Sequence, residues 1–210
     1  MDILIVILFS YVSGSIPFGL ILTKLFGNID VRKIGSGNIG ATNVLRTGNK
    51  FLALTTLILD ILKGFIPVSI TLQYFPELIQ LSSLLAFLGH VFPIWLKFKG
   101  GKGVATYLGI LLALSIQLGL LFMFTWLTVS LIFKYSSVSS MFASLTVFAI
   151  YTMREIAGPI FKIMSDQTPK TYEIFPSLSL LLFIFFILLV FTHRKNISNL
   201  KNKTEHKIKI

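Results

Sequence analysis

The sequence predicts an all-α, polytopic membrane protein with seven transmembrane helices, its N-terminus outside and its C-terminus in the cytoplasm. Three observations carry this. Of 210 residues, 54% are hydrophobic and only 13% charged, against roughly 25% charged in an ordinary soluble domain. Apolar windows long enough, or nearly so, to cross a bilayer recur along the chain. The basic residues, 19 Lys+Arg against 8 Asp+Glu, fall asymmetrically between those windows. The 20 Phe exclude a disordered chain, and the length suits a single domain over 1–210. The chain has no cysteine, which excludes disulfide scaffolds, thiol catalysis and Cys-based metal sites. His90, His193 and His206 lack zinc spacing, so neither a metal nor a cofactor is expected. A net charge of +11 on so apolar a chain is expected to face phospholipid headgroups or phosphorylated substrates. Nucleic acid is not expected, since no basic amphipathic element carries interleaved aromatics.

The first window, 3–26, begins after Met1-Asp2 with no basic n-region and runs too long for a signal peptide, so it reads as a retained span. Windows 51–75 and 78–96 supply the next two. The window 104–133 is either one tilted helix or two short ones turning near Ser115-Ile116-Gln117. A single straight helix of that length would reach about 45 Å across a hydrocarbon core of about 30 Å. Charge decides. With Lys63 set aside as lying within a span, one helix places eleven cations on one face and seven on the other, whereas two helices give fifteen against three. The second split follows the positive-inside rule far better. Windows 138–153 and 174–192 complete the seven. Segments 27–50, 97–103 and 193–210 then share the cytoplasmic face, and 154–173 becomes the long outer loop. Asp60 and Lys63, three apart on one helix, are expected to pair within the membrane.

The first cytoplasmic segment contains Gly35, Gly37 and Gly40 in the spacing G-x-G-x-x-G. A dinucleotide fold would need a strand before it and a βαβ unit around it, but both neighbours are membrane spans. The glycines still allow close backbone approach and an anion-binding nest. Ser36, Asn38, Thr42 and Asn43 add side-chain donors, Ala41 can start a helix whose N-terminus favours negative charge, and Arg32, Lys33 and Arg46 add cations. The bland alternative is a flexible membrane loop. The second segment places Lys97, Lys99 and Lys102 around Gly100, Gly101 and Gly103. It lacks Walker A spacing but suits a multiply charged oxyanion; a stop-transfer charge cluster is the alternative. His90, before Pro93, reads as a hydrogen-bonded helix-packing residue. The third segment is the tail from His193, which alone would be read as topology and lipid attraction. Three such segments on one face point to one headgroup-level site for phosphorylated substrates.

Together these residues resemble the bacterial acyl-phosphate:glycerol-3-phosphate acyltransferase (PlsY) family. The resemblance rests on Gly14-Ser15-Ile16-Pro17-Phe18-Gly19, the run Lys33 to Arg46, Leu59-Asp60-Ile61-Leu62-Lys63-Gly64, Gly89-His90-Val91-Phe92-Pro93, Lys97 to Thr106, and His193 to Ile197 with Leu200 and Glu205. Asn199 stands where the family usually has Arg, and Lys203 where it usually has Gly.

The resemblance implies seven helices in the inner (cytoplasmic) membrane and an active site at its cytoplasmic face. It implies transfer of an acyl chain from acyl phosphate to the 1-hydroxyl of glycerol 3-phosphate, giving lysophosphatidic acid and phosphate, the first acylation of phospholipid synthesis. It places the donor phosphate on Ser36, Gly37, Asn38, Ile39, Gly40, Ala41, Thr42 and Asn43. It places glycerol 3-phosphate among Arg46, Lys102, His193 and Asn196. Membrane lipids are expected partners, with upstream acyl-phosphate-forming and downstream acyltransferase enzymes. No covalent nucleophile is expected, because a mixed anhydride carries its own leaving group. The His-x-x-x-x-Asp pair of other glycerolipid acyltransferases is missing, since Trp95 and Ser198 follow the two histidines at that spacing, and no Gly-x-Ser-x-Gly elbow occurs. The hydroxyl proton passes to the substrate's own phosphate or to His193 as base. A transporter for a phosphorylated solute is the competing class, but it would favour midplane sites and repeated halves. A non-catalytic lipid-binding scaffold would not need the glycines.

Overall fold

The computed structural model describes residues 1–164 and 178–208, and among them every regular element is helical. The chain forms two compact units, Met1–Leu120 and Leu121–Ile210.

The first unit holds α1 (Asp2–Ser15), α2 (Phe18–Gly27), the single turn α3 (Ala41–Val44), α4 (Lys50–Tyr74), α5 (Ile79–Val91) and α6 (Val104–Leu114). The window 3–26, expected as one helix, is broken: α1 and α2 meet at 41°. Pro17 is the cause, since it has no N–H to donate and its ring clashes with the preceding turn. α1 packs on α5, and α4 on α6. Both pairs close on glycine, Gly14 and Gly89 between α1 and α5, and Gly64 and Gly109 between α4 and α6. A Cβ at any of the four would overlap the facing helix's backbone. In lipid, where apolar surface gains little by leaving its surroundings, such close packing and interhelical hydrogen bonds drive association. The bonds are present: Ser10 and Ser82 hydroxyls are 2.8 Å apart, and Thr71 donates to Ser82 at 3.0 Å.

Ser115, in extended backbone (φ −164°, ψ 126°), separates α6 from α7 (Ile116–Phe133). The window 104–133 is therefore two helices, as charge asymmetry required. The boundary between the units falls within α7. The second unit continues with α8 (Ser136–Met164), α9 (Leu178–Thr192) and α10 (Arg194–Lys201). α8 outruns the predicted span, so residues 154–164 of the expected outer loop are helical. Arg154 and Glu155 end the apolar window, but both have ordinary helix propensity and do not stop a helix. The rest of that loop, 165–173, and the first residues of the last window, 174–177, lie outside the described residues. α9 packs on α8, with the Phe148 and Phe183 ring centroids 5.3 Å apart. α10 then turns away from α9 by 55°.

Among the described residues, four helical stretches are long and apolar enough to cross a membrane: Lys50–Tyr74, Pro76–Leu96, Ile116–Phe133 and Ser136–Ala157. The bent pairs α1–α2 and α9–α10 also qualify when each is taken as one span, and Val104–Leu114 is a shorter apolar helix.

Candidate active site

The glycine loop sits on its own small apolar core. Val31, Ile39 and Val44 are buried against Leu20 of α2 and Leu52 and Ala53 of α4. Gly19 of α2 has no side chain, and the Ile39 carbonyl occupies the space a Cβ would need. Asn43 draws the loop around itself. Its Oδ1 accepts the Ser36 N–H at 3.0 Å, and its Nδ2 donates to the carbonyls of Val31, Ile34 and Asn38 at 2.9, 3.0 and 2.7 Å. The Asn43 amide is thus the loop's internal fastener. Its two N–H bonds already face three carbonyls.

Gly35 and Gly37 take φ of 52° and 71°, where other residues are strained. Gly40 does not: at φ −82° it is the N-cap of α3. The Gly37 N–H is bonded to Ile34, and the Gly40 N–H to the Asn38 side chain. The N–H groups of Asn38, Ile39, Ala41 and Thr42 have no protein acceptor among the described residues. These four form the donor set an anion would use. Ile39 contributes only backbone, its side chain being in the core.

The cations divide. Arg32 is tied to Asp30: its Nη2 is 2.6 Å from Oδ2, and its Nε donates to Oδ1 at 2.9 Å. The hydrogen-bonded guanidinium holds the Asp30 carboxyl well below the usual carboxylate range. Arg32 was expected among the cradle cations; the acidic neighbour two residues earlier takes it instead. Arg46 is exposed, and its side chain lies across Gly35, over the loop.

Lys102 belongs to a second loop of the same unit. After Pro93 the chain makes one 3₁₀ turn and passes through positive φ at Lys97 and Phe98. It then runs back along the end of α5, where Gly100 N–H donates to Val91 O at 3.0 Å and Gly101 N–H to His90 O at 3.1 Å. Gly101 lies against the His90 ring so closely that a Cβ would fall on Nε2. His90 is buried and its Nδ1 is 3.0 Å from the Thr106 hydroxyl, which makes it the packing residue its place in the span suggests. Lys102, half-buried, stands between Gly101 and Gly103.

His193 and Asn196 belong to the second unit, and both are buried. His193 Nδ1 is 2.8 Å from the Leu189 carbonyl. A carbonyl only accepts, so Nδ1 carries the proton and Nε2 is the basic nitrogen. Asn196 Nδ2 donates to Glu205 Oε1, which also accepts from Ser137 at 3.1 Å, while Asn199 reaches Oε2 at 3.4 Å. Ile208 N–H bonds Lys134 O at 2.7 Å, closing the tail onto the α7–α8 turn. The organising role of Glu205 had no local signal, because its partners are 6, 9 and 68 residues away.

The sequence profile of the glycerol-3-phosphate acyltransferase family matches residues 4–203. The chain belongs to the glycerol-3-phosphate acyltransferase family. It is 52% identical to the glycerol-3-phosphate acyltransferase of Pelagibacter ubique over the full length of both chains. It is 47% identical to that of Mesorhizobium japonicum, over 98% of this chain and 96% of the relative. Crystal structures of PlsY (YgiH), an integral membrane glycerol 3-phosphate acyltransferase, superpose on it at 33% identity. The glycerol 3-phosphate form gives a TM-score of 0.84, covering 100% of this chain and 96% of that one. The lysophosphatidic acid form gives 0.81, covering 99% and 95%. The chain is therefore a multi-pass membrane acyltransferase of this family.

Proposed function

We propose that the chain acts as one domain over 1–210 in the inner membrane. In this reading it has seven spans, and its active site faces the cytoplasm. It transfers an acyl group from acyl phosphate to the 1-hydroxyl of glycerol 3-phosphate, the first acylation of phospholipid synthesis. The four unpartnered N–H groups of the glycine loop carry the proposal. A phosphate with several acceptor oxygens fits such a set, at the first turn of α3, without a metal. The relatives' name supplies the acceptor, and the glycerol 3-phosphate and lysophosphatidic acid forms of PlsY support substrate and product.

In this reading the loop Ser36 to Asn43 holds the donor's phosphate and aligns the acyl carbonyl. Arg46 and Lys102 bind the acceptor's phosphate by charge-assisted hydrogen bonds. His193 and Asn196 are assigned as further acceptor ligands on family resemblance. The 1-hydroxyl oxygen attacks the acyl carbon, the carbon–oxygen bond to phosphate breaks, and the hydroxyl proton passes to the departing phosphate. Positioning and charge stabilisation supply the catalysis.

Purified protein given palmitoyl phosphate and glycerol 3-phosphate should release phosphate only when both are present, and should be inactive with acyl-CoA. Comparable turnover with acyl-CoA would refute the donor assignment. His193 as general base is the second reading, favoured by the basic Nε2. In that case the acidic limb of the pH–rate profile vanishes in His193→Ala. If the substrate phosphate takes the proton, the variant is slower with that limb intact.

A further inference from the structure

Beneath both loops of the first unit lies a buried charged pair that the proposed chemistry does not use. Lys63 Nζ is 2.8 Å from Asp60 Oδ1, and each side chain is 3% exposed. Lys63 also donates to the Ile16 carbonyl at 2.7 Å and stands 5.7 Å from the centre of the Phe18 ring. Ile16 and Phe18 flank Pro17, so the ammonium is fastened to the break between α1 and α2. Three residues past that carbonyl is Gly19, on which the Ile39 carbonyl of the glycine loop rests. On the other side, Asp60 Oδ1 is 4.0 Å from His90 Nδ1. His90 takes Thr106 through that nitrogen, and its own carbonyl and ring bear Gly101, the neighbour of Lys102. One short chain of contacts therefore runs from the glycine loop through Lys63 and Asp60 to the lysine loop.

We propose that Asp60 and Lys63 are positioning residues for acyl transfer, setting the glycine loop and the Lys102 loop in mutual register. A buried ion pair is a poor source of net stability, because desolvation offsets its attraction, but its geometry is specific. Here Lys63 is held between the carboxylate of its own helix and the Ile16 carbonyl at the break after α1, so a shift of that break against α4 would lose the second contact. The two loops bring separate substrates together, so a displacement of about 1 Å between them would slow transfer about 100-fold.

The inference rests on the proposed donor and acceptor roles of the two loops, and three variants in detergent test it. The charge-reversed pair Asp60→Lys with Lys63→Asp keeps an ion pair but removes the donor to Ile16. Lys63→Arg keeps charge and donors, at a different reach. Thr106→Val is isosteric and breaks only the His90 bond. With wild-type thermal midpoints, the reversed pair should lose about 100-fold in kcat/KM for both substrates, and Lys63→Arg should recover part of that loss. Thr106→Val should raise KM for glycerol 3-phosphate about 5-fold and leave that for acyl phosphate unchanged. Should the reversed pair not fold, Thr106→Val and Lys63→Arg still decide. Wild-type kcat and KM for both substrates in these variants would overturn the inference. A wild-type enzyme that fails to turn over acyl phosphate with glycerol 3-phosphate would instead sink the functional proposal.

Discussion

The glycine loop and the C-terminal tail are each gathered by a single polar side chain, and the two organisers differ in charge. Asn43 is a neutral amide that accepts one N–H and donates to three carbonyls. Glu205 is a carboxyl that accepts from three side chains, those of Asn196, Ser137 and Asn199. A carboxylate in place of Asn43 would put a negative charge among the N–H groups proposed to hold a phosphate. The amide shapes the same backbone without that repulsion. In the tail the polarity is reversed: the carboxyl holds one N–H of Asn196 and so sets how the rest of that amide is presented. With the proposed roles, neutral fastening suits a loop that would bind through its backbone, and fastening by a carboxyl suits a tail that would bind through side-chain donors.

Three substitutions sharpen this contrast. Asn43→Asp preserves shape and the Ser36 contact but turns donors toward three carbonyls into acceptors. Unsatisfied buried groups cost about 1–3 kcal/mol each, so kcat/KM for acyl phosphate should fall by more than about 100-fold, with a lowered thermal midpoint. A variant that keeps wild-type kinetics would show that the loop is held by its apolar core alone. Glu205→Gln can keep an acceptor for Asn196 and Ser137, but it turns an NH2 toward the exposed Asn199 amide and loses charge assistance, together worth about 1 kcal/mol. KM for glycerol 3-phosphate should rise about 5-fold with acyl-phosphate KM unchanged. A larger effect on the donor would break the assignment of the tail to the acceptor.

The smallest effect belongs to Asp30. Its folded pKa lies below the ordinary carboxylate value, chiefly through the Arg32 hydrogen bond. The stabilisation is therefore fully present above the unfolded pKa and is lost only as pH falls through the lowered one. The pair is at the surface, so Asp30→Asn should cost less than about 1 kcal/mol at pH 7. Thermal unfolding of variant and wild type should show that gap at pH 7 and pH 5 alike. A gap already closed at pH 5 would contradict the depressed pKa.

What was legible in the sequence was what composition and loop charge record. The break at Ser115 followed from the distribution of lysines, although hydropathy runs straight through it. The pairing of Asp60 with Lys63 followed from spacing on one helix. The bend at Pro17 is not captured by the length and mean hydropathy of the 3–26 window, which average over Ser10 to Pro17, while its cause is a missing N–H that hydropathy does not record. α8 was cut short for the opposite reason, since charge lowers hydropathy without ending a helix. Within the site, the glycines and cations could be named from their order. That Asp30 would claim Arg32 depended on the short turn Val31–Lys33 that Asp30 caps, and that the Asn43 amide would face inward depended on how the chain turns at Gly35 and Gly37.

The serine contact between α1 and α5 joins residues 72 apart in sequence. It ties the first span to one made much later, which bears on biogenesis. While the ribosome is still making α4, α1 has no α5 to receive Gly14, and the Ser10 hydroxyl has no Ser82. Until then α1 has only α4 to rest against, through their direct packing and the Lys63 bond to the Ile16 carbonyl. Its docking is completed when the 79–91 segment enters beside it. A nascent chain stalled before residue 79 would leave the glycine and serine face of α1 in lipid, open to membrane quality control.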